Sequence, residues 1–315
     1  MNKSLLVAID GSYVIYYAIF RAIRIWTSRN KKEAKPYLEL KFDGSQSDLI
    51  DSSSFKSALY DAFIHVCYSI TDIIENNFPQ YRGFDQKGYA TVLFCEDDFT
   101  SNSFRRKLYP DYKGGRVESK ARLPYNLSKI RNYFTTVIFD QSDIWARTGY
   151  KNVFVEGAEG DDIIYEAMTK FGPKYQDRLV IAADKDLLQI PDTFQFNLND
   201  QMVKRLGKNG LISAQDFLKK KILVGDASDN IPKVFPKVGP VRAEKIINEK
   251  GKLEKMLAES KEASKQFELN TKLMDISKMP EELSKTIDER IGCLIKEDAS
   301  IDEIEESVFG EPIIA

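Results

Sequence analysis

The chain has 315 residues, 43% of them apolar, a formal net charge of −2 and three cysteines. That length buries a sizeable core, in one large domain or a domain with a smaller lobe, and the near-neutral total argues neither for nor against a polyanionic partner. No apolar run approaches the ~20 residues of a membrane span, the first residues lack a signal-peptide plan, and Cys67, Cys95 and Cys293 lack metal spacing. A reduced, cytoplasmic protein is expected.

Leu5 to Ile9 reads as a buried strand that delivers Asp10, and G-S-Y-V-I-Y-Y-A-I-F then turns into a helix. Residues 27–54 are polar and lysine-rich and are expected to form a loop insertion. An amphipathic helix is predicted over 55–78. The chain's one histidine, His65, belongs to its helical pattern, so histidine acid–base chemistry is not expected. Tyr89 to Cys95 is a second buried strand, ending in Glu96, Asp97 and Asp98.

The segment S-F-R-R-K-L-Y-P-D-Y-K-G-G-R follows. Between Ser101 and Asn132 there are nine Lys/Arg against two acids, whereas Glu297 to Glu311 holds seven acids and no base. Segregated blocks of this kind suggest a basic binding surface and a separate acidic tail, expected to be disordered and solvated. Phe104, Tyr109 and Tyr112, interleaved with the basic residues, are suited to stack on bases.

A helical stretch is predicted over 126–139 and a third strand over 152–155. Glu159, Asp161 and Asp162 then sit where a loop enters a helix with the apolar face Ile163, Ile164, Ala167, Met168 and Phe171. A fourth strand, 179–183, delivers Asp184 and Asp186. From about 211 only helices are expected. K-K-K-I-L-V-G-D-A-S-D-N-I-P places Asp226 and Asp229 three apart, on one helix face. The next segment, K-V-F-P-K-V-G-P-V-R-A-E-K-I-I, reads as a hairpin whose helix N-terminus after Gly239 offers backbone N–H groups to phosphate. Lys233, Lys237, Arg242 and Lys245 add charge there.

Strands alternating with helices predict an α/β fold, a mostly parallel central sheet with helices on both faces. Residues 1–210 would form this core and 211–315 a helical C-terminal region. In such sheets ligands gather beyond the carboxyl ends of the strands, where these acids lie. Carboxylates packed together and unpaired repel and lose hydration. An oxygen-rich cluster therefore points to hard divalent cations such as Mg2+.

At these residues the chain resembles the 5′ nuclease, or flap endonuclease, family, including its phage members and the 5′ nuclease part of bacterial DNA polymerase I. The matching motifs are I-D-G-S at Asp10, F-R-R-x-x-Y-x-x-Y-K-x-x-R after Asp97, E-G-D-D at Glu159, D-K-D at Asp184 and G-D-x-x-D-N-I-P at Gly225. They run in family order from Ile9 to roughly Ile247. The pattern departs at Tyr17, where arginine is frequent, and at Lys233 and Lys237, which replace two hairpin glycines.

The resemblance implies a PIN-like core, a helical arch over about 99–140 and a helix-3-turn-helix motif over about 222–250. It implies two Mg2+ ions, replaceable by Mn2+, and a K+ ion at the hairpin. Asp10, Asp97, Glu159, Asp161 and Asp162 would hold the first metal, with Asp98 the alternative to Asp97, which Cys95 two before it favours. Asp184, Asp186, Asp226 and Asp229 would hold or position the second. Lys113 and Arg116 match the arch's basic pair, and Arg105 and Arg106 lie at its entrance. With Tyr112, Lys233, Lys237, Gly239, Arg242 and Lys245, these two would contact nucleic acid. The implied activity is two-metal hydrolysis of phosphodiesters at 5′ ends or flaps of branched DNA or RNA–DNA hybrid, as in primer removal during replication. A ribonuclease H activity, a monomer, a single-strand-binding or other replication protein as partner, and the host cytoplasm of a phage would accompany it. The rival reading is a catalytically silent relative that only binds branched DNA, and loss of one of these acids would mark it.

Overall fold

A computed structural model describes residues 5–38, 48–84, 89–99, 103–114, 126–139, 144–207 and 210–309, without the side chains of residues 36, 38 and 297–309. Strand β1 (Leu5–Asp10) leads into α1 (Gly11–Arg29) and α2 (Lys31–Leu38), and α3 (Ser53–Asn77) returns the chain to β2 (Ala90–Glu96). Short helices α4 (Phe104–Leu108), α5 (Leu127–Tyr133) and α6 (Ile144–Thr148) precede β3 (Lys151–Phe154). Then come α7 (Gly160–Glu166), β4 (Asp177–Ile181), β5 (Phe194–Phe196) and a two-stranded ribbon, β6 (Leu206–Gly207) with β7 (Gly210–Leu211). Helices α8 (Ala214–Val224), α9 (Pro240–Asn248), α10 (Lys252–Ala258), α11 (Lys261–Met274) and α12 (Glu281–Phe309) complete the described chain.

The five-stranded sheet is parallel throughout, in the order β3-β2-β1-β4-β5. Its strands are apolar because both faces are covered. The odd-numbered side chains of β1 (Leu5, Val7, Ile9) join α1, α3 and α5 in one core, and Leu6 and Ala8 join α7 and α12 in the other. Strand order reverses beside β1, with β2 on one side and β4 on the other. That switch point is where an open sheet leaves a crevice. Gly11 is required there: a Cβ would stand 2.6 Å from the Cys95 carbonyl oxygen and 2.8 Å from the Phe94 ring. Without one, α1 starts hard against β2.

Four expectations need correction. The 27–54 stretch is largely helical where it is described, because Trp26 anchors it. The indole donates to Ser54 Oγ at 2.8 Å and packs edge-on to Tyr37, while Glu33 accepts from Ser52 and Ser54. Polar residues there face one another, which hides the helical period. Asp226 and Asp229 are not on a helix. Gly225, at φ 69°, ends α8, and Asp226 and Ile231 exchange both backbone hydrogen bonds to close a tight turn. Strand β5 and the β6–β7 ribbon were not expected, being three and two residues long. Finally, the acidic tail continues α12 as helix through Phe309.

The helices after β7 build cores of their own, one on Leu223, Val234, Val238, Ala243 and Ile246 and another on Ile222, Ile231, Leu273, Met274 and Tyr112. Helix α12 returns to the sheet and buries Ile287 and Ile291 against it.

Candidate active site

The carboxyl edge of the sheet opens into a cavity of about 120 Å3 lined by Asp10, Asp97, Glu159, Asp161, Asp184, Asp186 and Asp229, with Lys113 among them. The seven acids arrive on five pieces of backbone. Asp10 closes β1 and caps α1, its Oδ1 accepting the Tyr13 N–H at 2.9 Å. Asp97 follows β2 and accepts the hydroxyl of Ser12 and the backbone N–H of Gly160 at the start of α7. Its neighbour Asp98 turns away, buried against the Gly157 N–H at 2.7 Å. Asp97 is thus the one of the pair that faces the cavity. Asp161 sits in the first turn of α7, and Asp184 follows β4 with its Oδ1 on the Asp186 N–H at 2.8 Å.

Burial and mutual repulsion set the charge state of this group. The Asp10 carboxyl is pushed up to about 7, first by burial and then by Asp97. Burial and Asp184 drive Asp161 well above the carboxylate range. Both want a cation. Glu159 already has two: its Oε2 lies 3.0 Å from Lys113 Nζ and 3.4 Å from Arg105, and it also accepts the Tyr112 hydroxyl at 3.1 Å. Burial alone would raise Glu159, but Lys113 and Arg105 outweigh it and hold the carboxyl below its usual range. Among the described residues no three acids converge at ligand distance on one point. Lysines take up part of the charge instead. Lys221, from α8, contacts Asp186 and lies 3.4 Å from Asp226. In donor type the residues nevertheless suit a hard divalent ion, being carboxylate oxygens whose repulsion is only partly offset.

Several expected roles do not match where the side chains lie. Asp162 is fully buried and bound by two nitrogens of Arg105, at 2.7 and 2.9 Å, and it also accepts the Glu159 N–H. It is a helix cap and counter-ion, facing away from the cavity. Arg105 itself is 3% exposed and donates to the Leu273 carbonyl at 3.0 Å. A guanidinium so enclosed braces α4, α7 and the end of α11 and is not presented to a nucleic acid. Tyr112 is buried too, so its ring is not a stacking platform. Asp226 lies outside the cavity lining, satisfied by the N–H and hydroxyl of Ser228 and by Lys221, which together hold its carboxyl low against the effect of burial. Arg106 is partly exposed. Arg116 and much of the arch lie outside the described residues. His65 is exposed on α3, outside the cavity lining.

Lys113 is placed by backbone strain. Its φ is 58°, uncommon for a side-chain-bearing residue, and its N–H donates to the Asp229 carbonyl at 2.9 Å. Asn230 Nδ2 reaches the Asp111 carbonyl at 3.1 Å. The 225–231 turn is therefore a strap across the turn that carries Asp111 and Lys113. Burial would strip the Lys113 proton, but Glu159 more than compensates and the amine stays charged. Two site residues escaped the sequence reading. Ser12 was hidden as an ordinary helix-start serine, and Lys221 stood inside a run of three lysines; its place five before Asp226, about one helical turn back, was the available signal.

Further along, Gly239 caps α9, with Lys233, Lys237, Arg242 and Lys245 all exposed. Arg242, Lys245 and Lys252 line a shallow concavity between α9 and α10.

Residues 52–220 match the family model of the 5′-3′ exonuclease, N-terminal resolvase-like domain. The chain belongs to that family. It is a 5′ nuclease. It is 26% identical over 228 residues to a 5′-3′ exonuclease of Buchnera aphidicola, a match that takes in 65% of this chain and 71% of the relative. It is 29% identical over 164 residues to DNA polymerase I of Deinococcus radiodurans, covering 49% of this chain and 15% of that much longer protein. The bacteriophage T5 flap endonuclease, in a pseudo-enzyme-product complex with DNA and metal ions, superposes with a TM-score of 0.55 over 90% of this chain and 96% of its own, at 15% identity. At that identity the T5 structure bears on the fold alone.

Proposed function

We propose that this 5′ nuclease is structure-specific, cutting phosphodiesters where a single-stranded 5′ end or flap leaves a duplex. One observation carries the proposal: acids from β1, β2, β4 and α7 meet in one cavity at the sheet's switch point, with a strained, charged lysine set among them. The T5 enzyme, which shares the fold, was crystallised with DNA and metal ions, which supports the same partners here. Asp10, Asp97, Asp161 and Asp184 would hold divalent cations with Glu159, Asp186 and Asp229. Mg2+ is proposed, with Mn2+ as substitute. Such ions supply charge to activate water and to stabilise the leaving oxygen.

The chain's own residues do the rest. Lys113, kept charged by Glu159, offsets charge on the reacting phosphate. Ser12 and the Gly160 N–H fix the Asp97 carboxylate, so it would meet a cation without reorganising. Lys221 orients Asp186 and would shift as a cation binds. The exposed bases around Gly239 suit duplex phosphates and the helix N-terminus a further one, the helix-3-turn-helix reading of 222–250. K+ binding at that hairpin, action on RNA–DNA hybrids, primer removal, a monomeric state, the arch over 99–140 and the Arg116 role belong to the same proposal. So does the division into 1–210 and 211–315.

The test is a duplex bearing a labelled 5′ flap, incubated with and without Mg2+. Release of the label near the junction only with the ion is expected. Tight binding with no cleavage in Mg2+ or Mn2+ would favour the catalytically silent reading instead.

A further inference from the structure

A second concave surface, of about 580 Å3, lies between α5 and the turn that leads into α3. Lys56 and Asp51 line one side, and Lys129, Arg131, Asn132 and Tyr133 the other. None of these residues touches the carboxylate cavity described above. We propose that this groove is a subsite for the single-stranded 5′ arm, held through its phosphates and by stacking on Tyr133. The inference rests on the 5′ nuclease reading and extends it.

Charge comes first. Among the described residues three cations share the groove with one lining acid, and that acid is committed: Asp51 accepts the Asp48 N–H at 2.7 Å to close the turn. Lys129 lies 3.8 Å from the buried Asp48 carboxylate, which leaves Lys56 and Arg131 as the groups best placed to meet phosphate. Ring faces alternate with these cations. The Lys56 ammonium sits 5.4 Å from the centre of the Tyr133 ring, and the Arg131 guanidinium 3.9 Å from that of Phe99. Cations beside aromatic faces are how single strands are gripped without reading sequence, since every base offers a π-face.

Position supplies the third argument. Phe99 is two residues beyond Asp97, so at most about 7 Å of backbone separates the acid in the cavity from the ring under Arg131. Through Phe99, Arg131 reaches back to the segment that carries Asp97. A strand leaving the cavity along that segment would meet Arg131, with Lys56 and Tyr133 in the same groove. Lining by the described residues, with charges, amides, one aromatic ring and Ile50 as their sole aliphatic contributor, suits a polymer backbone better than a small apolar ligand.

The experiment compares two flaps on the same duplex, with arms of about 2 and about 15 nucleotides, the longer matching a typical single-strand footprint. Binding is measured in EDTA across a salt series for the full chain and for the double variant Lys56→Ala/Arg131→Ala. The variant should lose roughly 5- to 30-fold in affinity for the long arm and far less for the short one. Its salt slope on the long arm should flatten by about 0.7 for each phosphate that is no longer neutralised. The single charge reversal Lys56→Glu should give the same ordering, and a melting curve checks that both variants fold. Equal losses on both arms, or none on either, would overturn the subsite. Mg2+-dependent cleavage of the short-arm flap by the unaltered protein tests the underlying nuclease reading separately. If that fails while the arm-length effect persists, the nuclease reading falls and the subsite stands.

Discussion

Lys113 and Arg105 stand eight residues apart, both touch Glu159, and they do opposite things. Lys113 is aimed into the cavity by a left-handed backbone and held by the Asp229 carbonyl. Its charge is needed most as negative charge develops on the phosphate, so Lys113→Ala should slow single-turnover cleavage by about 10²–10³ while weakening flap binding far less. Equal losses in rate and binding would make it an ordinary phosphate contact. Arg105 is enclosed with Asp162, and removing one partner of such a pair strands a buried charge. Arg105→Gln should therefore cost about 3–5 kcal/mol of stability, read as a lower denaturation midpoint. A change under about 1 kcal/mol would show that water reaches the pair. The sequence placed both arginine and lysine in one basic run and had no means to separate them. Position along a run says nothing about which side chain the fold encloses. Asp162 was misassigned for the same reason, since its role depends on Arg105 arriving from 57 residues away.

At the level of elements, the strands that carry acids were readable because each is a short apolar run ending in a carboxylate. Asp10, Asp97 and Asp184 are where their strands implied. Turns were harder to read. The G-D-x-x-D-N-I-P segment has the spacing of a helix face, and only the backbone pair between Asp226 and Ile231 makes it a turn. Gly225 makes that turn possible, with φ 69° and ψ −172°, a region open essentially to glycine alone. A Cβ there would stand 2.5 Å from the carbonyl oxygens of Ile231 and Pro232. Gly225→Ala should accordingly destabilise by at least about 1–3 kcal/mol. It should also slow cleavage, because the same turn holds Lys113. The control is Gly251→Ala, at φ 74° with nothing within 4 Å. It should cost stability modestly and leave the relation between Lys113 and Asp229 untouched. Matching effects of the two variants on cleavage would show that the strap does not position Lys113.

For the whole molecule, two regions divide the task of engaging a charged substrate. If the exposed bases about Gly239 meet phosphate as proposed, without base contacts, Lys237→Ala/Arg242→Ala should flatten the salt slope of flap binding by roughly one to two units whatever the sequence. An unchanged slope would make that hairpin only a structural turn. The sheet edge concentrates the opposite charge, and its state is tied to pH. Asp10 titrates near 7 in the folded chain and in the ordinary carboxylate range, about 4, when unfolded. Between those values the folded state holds a proton that the unfolded state has lost. The stability this group contributes is therefore complete below about pH 4 and disappears as pH rises through 7. The strongly raised Asp161 adds to the same trend. A divalent ion bound at these carboxylates would take the proton's place, and at pH 6 it would first have to expel it. Saturating Mg2+, at about 100 times its dissociation constant, would add about 2.7 kcal/mol at pH 8, or several degrees of melting temperature. At pH 6 the same concentration should add clearly less. Asp10→Asn should shrink the pH 8 shift and remove most of its dependence on pH. Equal Mg2+ shifts at both pH values in the unaltered chain would mean that the ion binds away from these carboxylates.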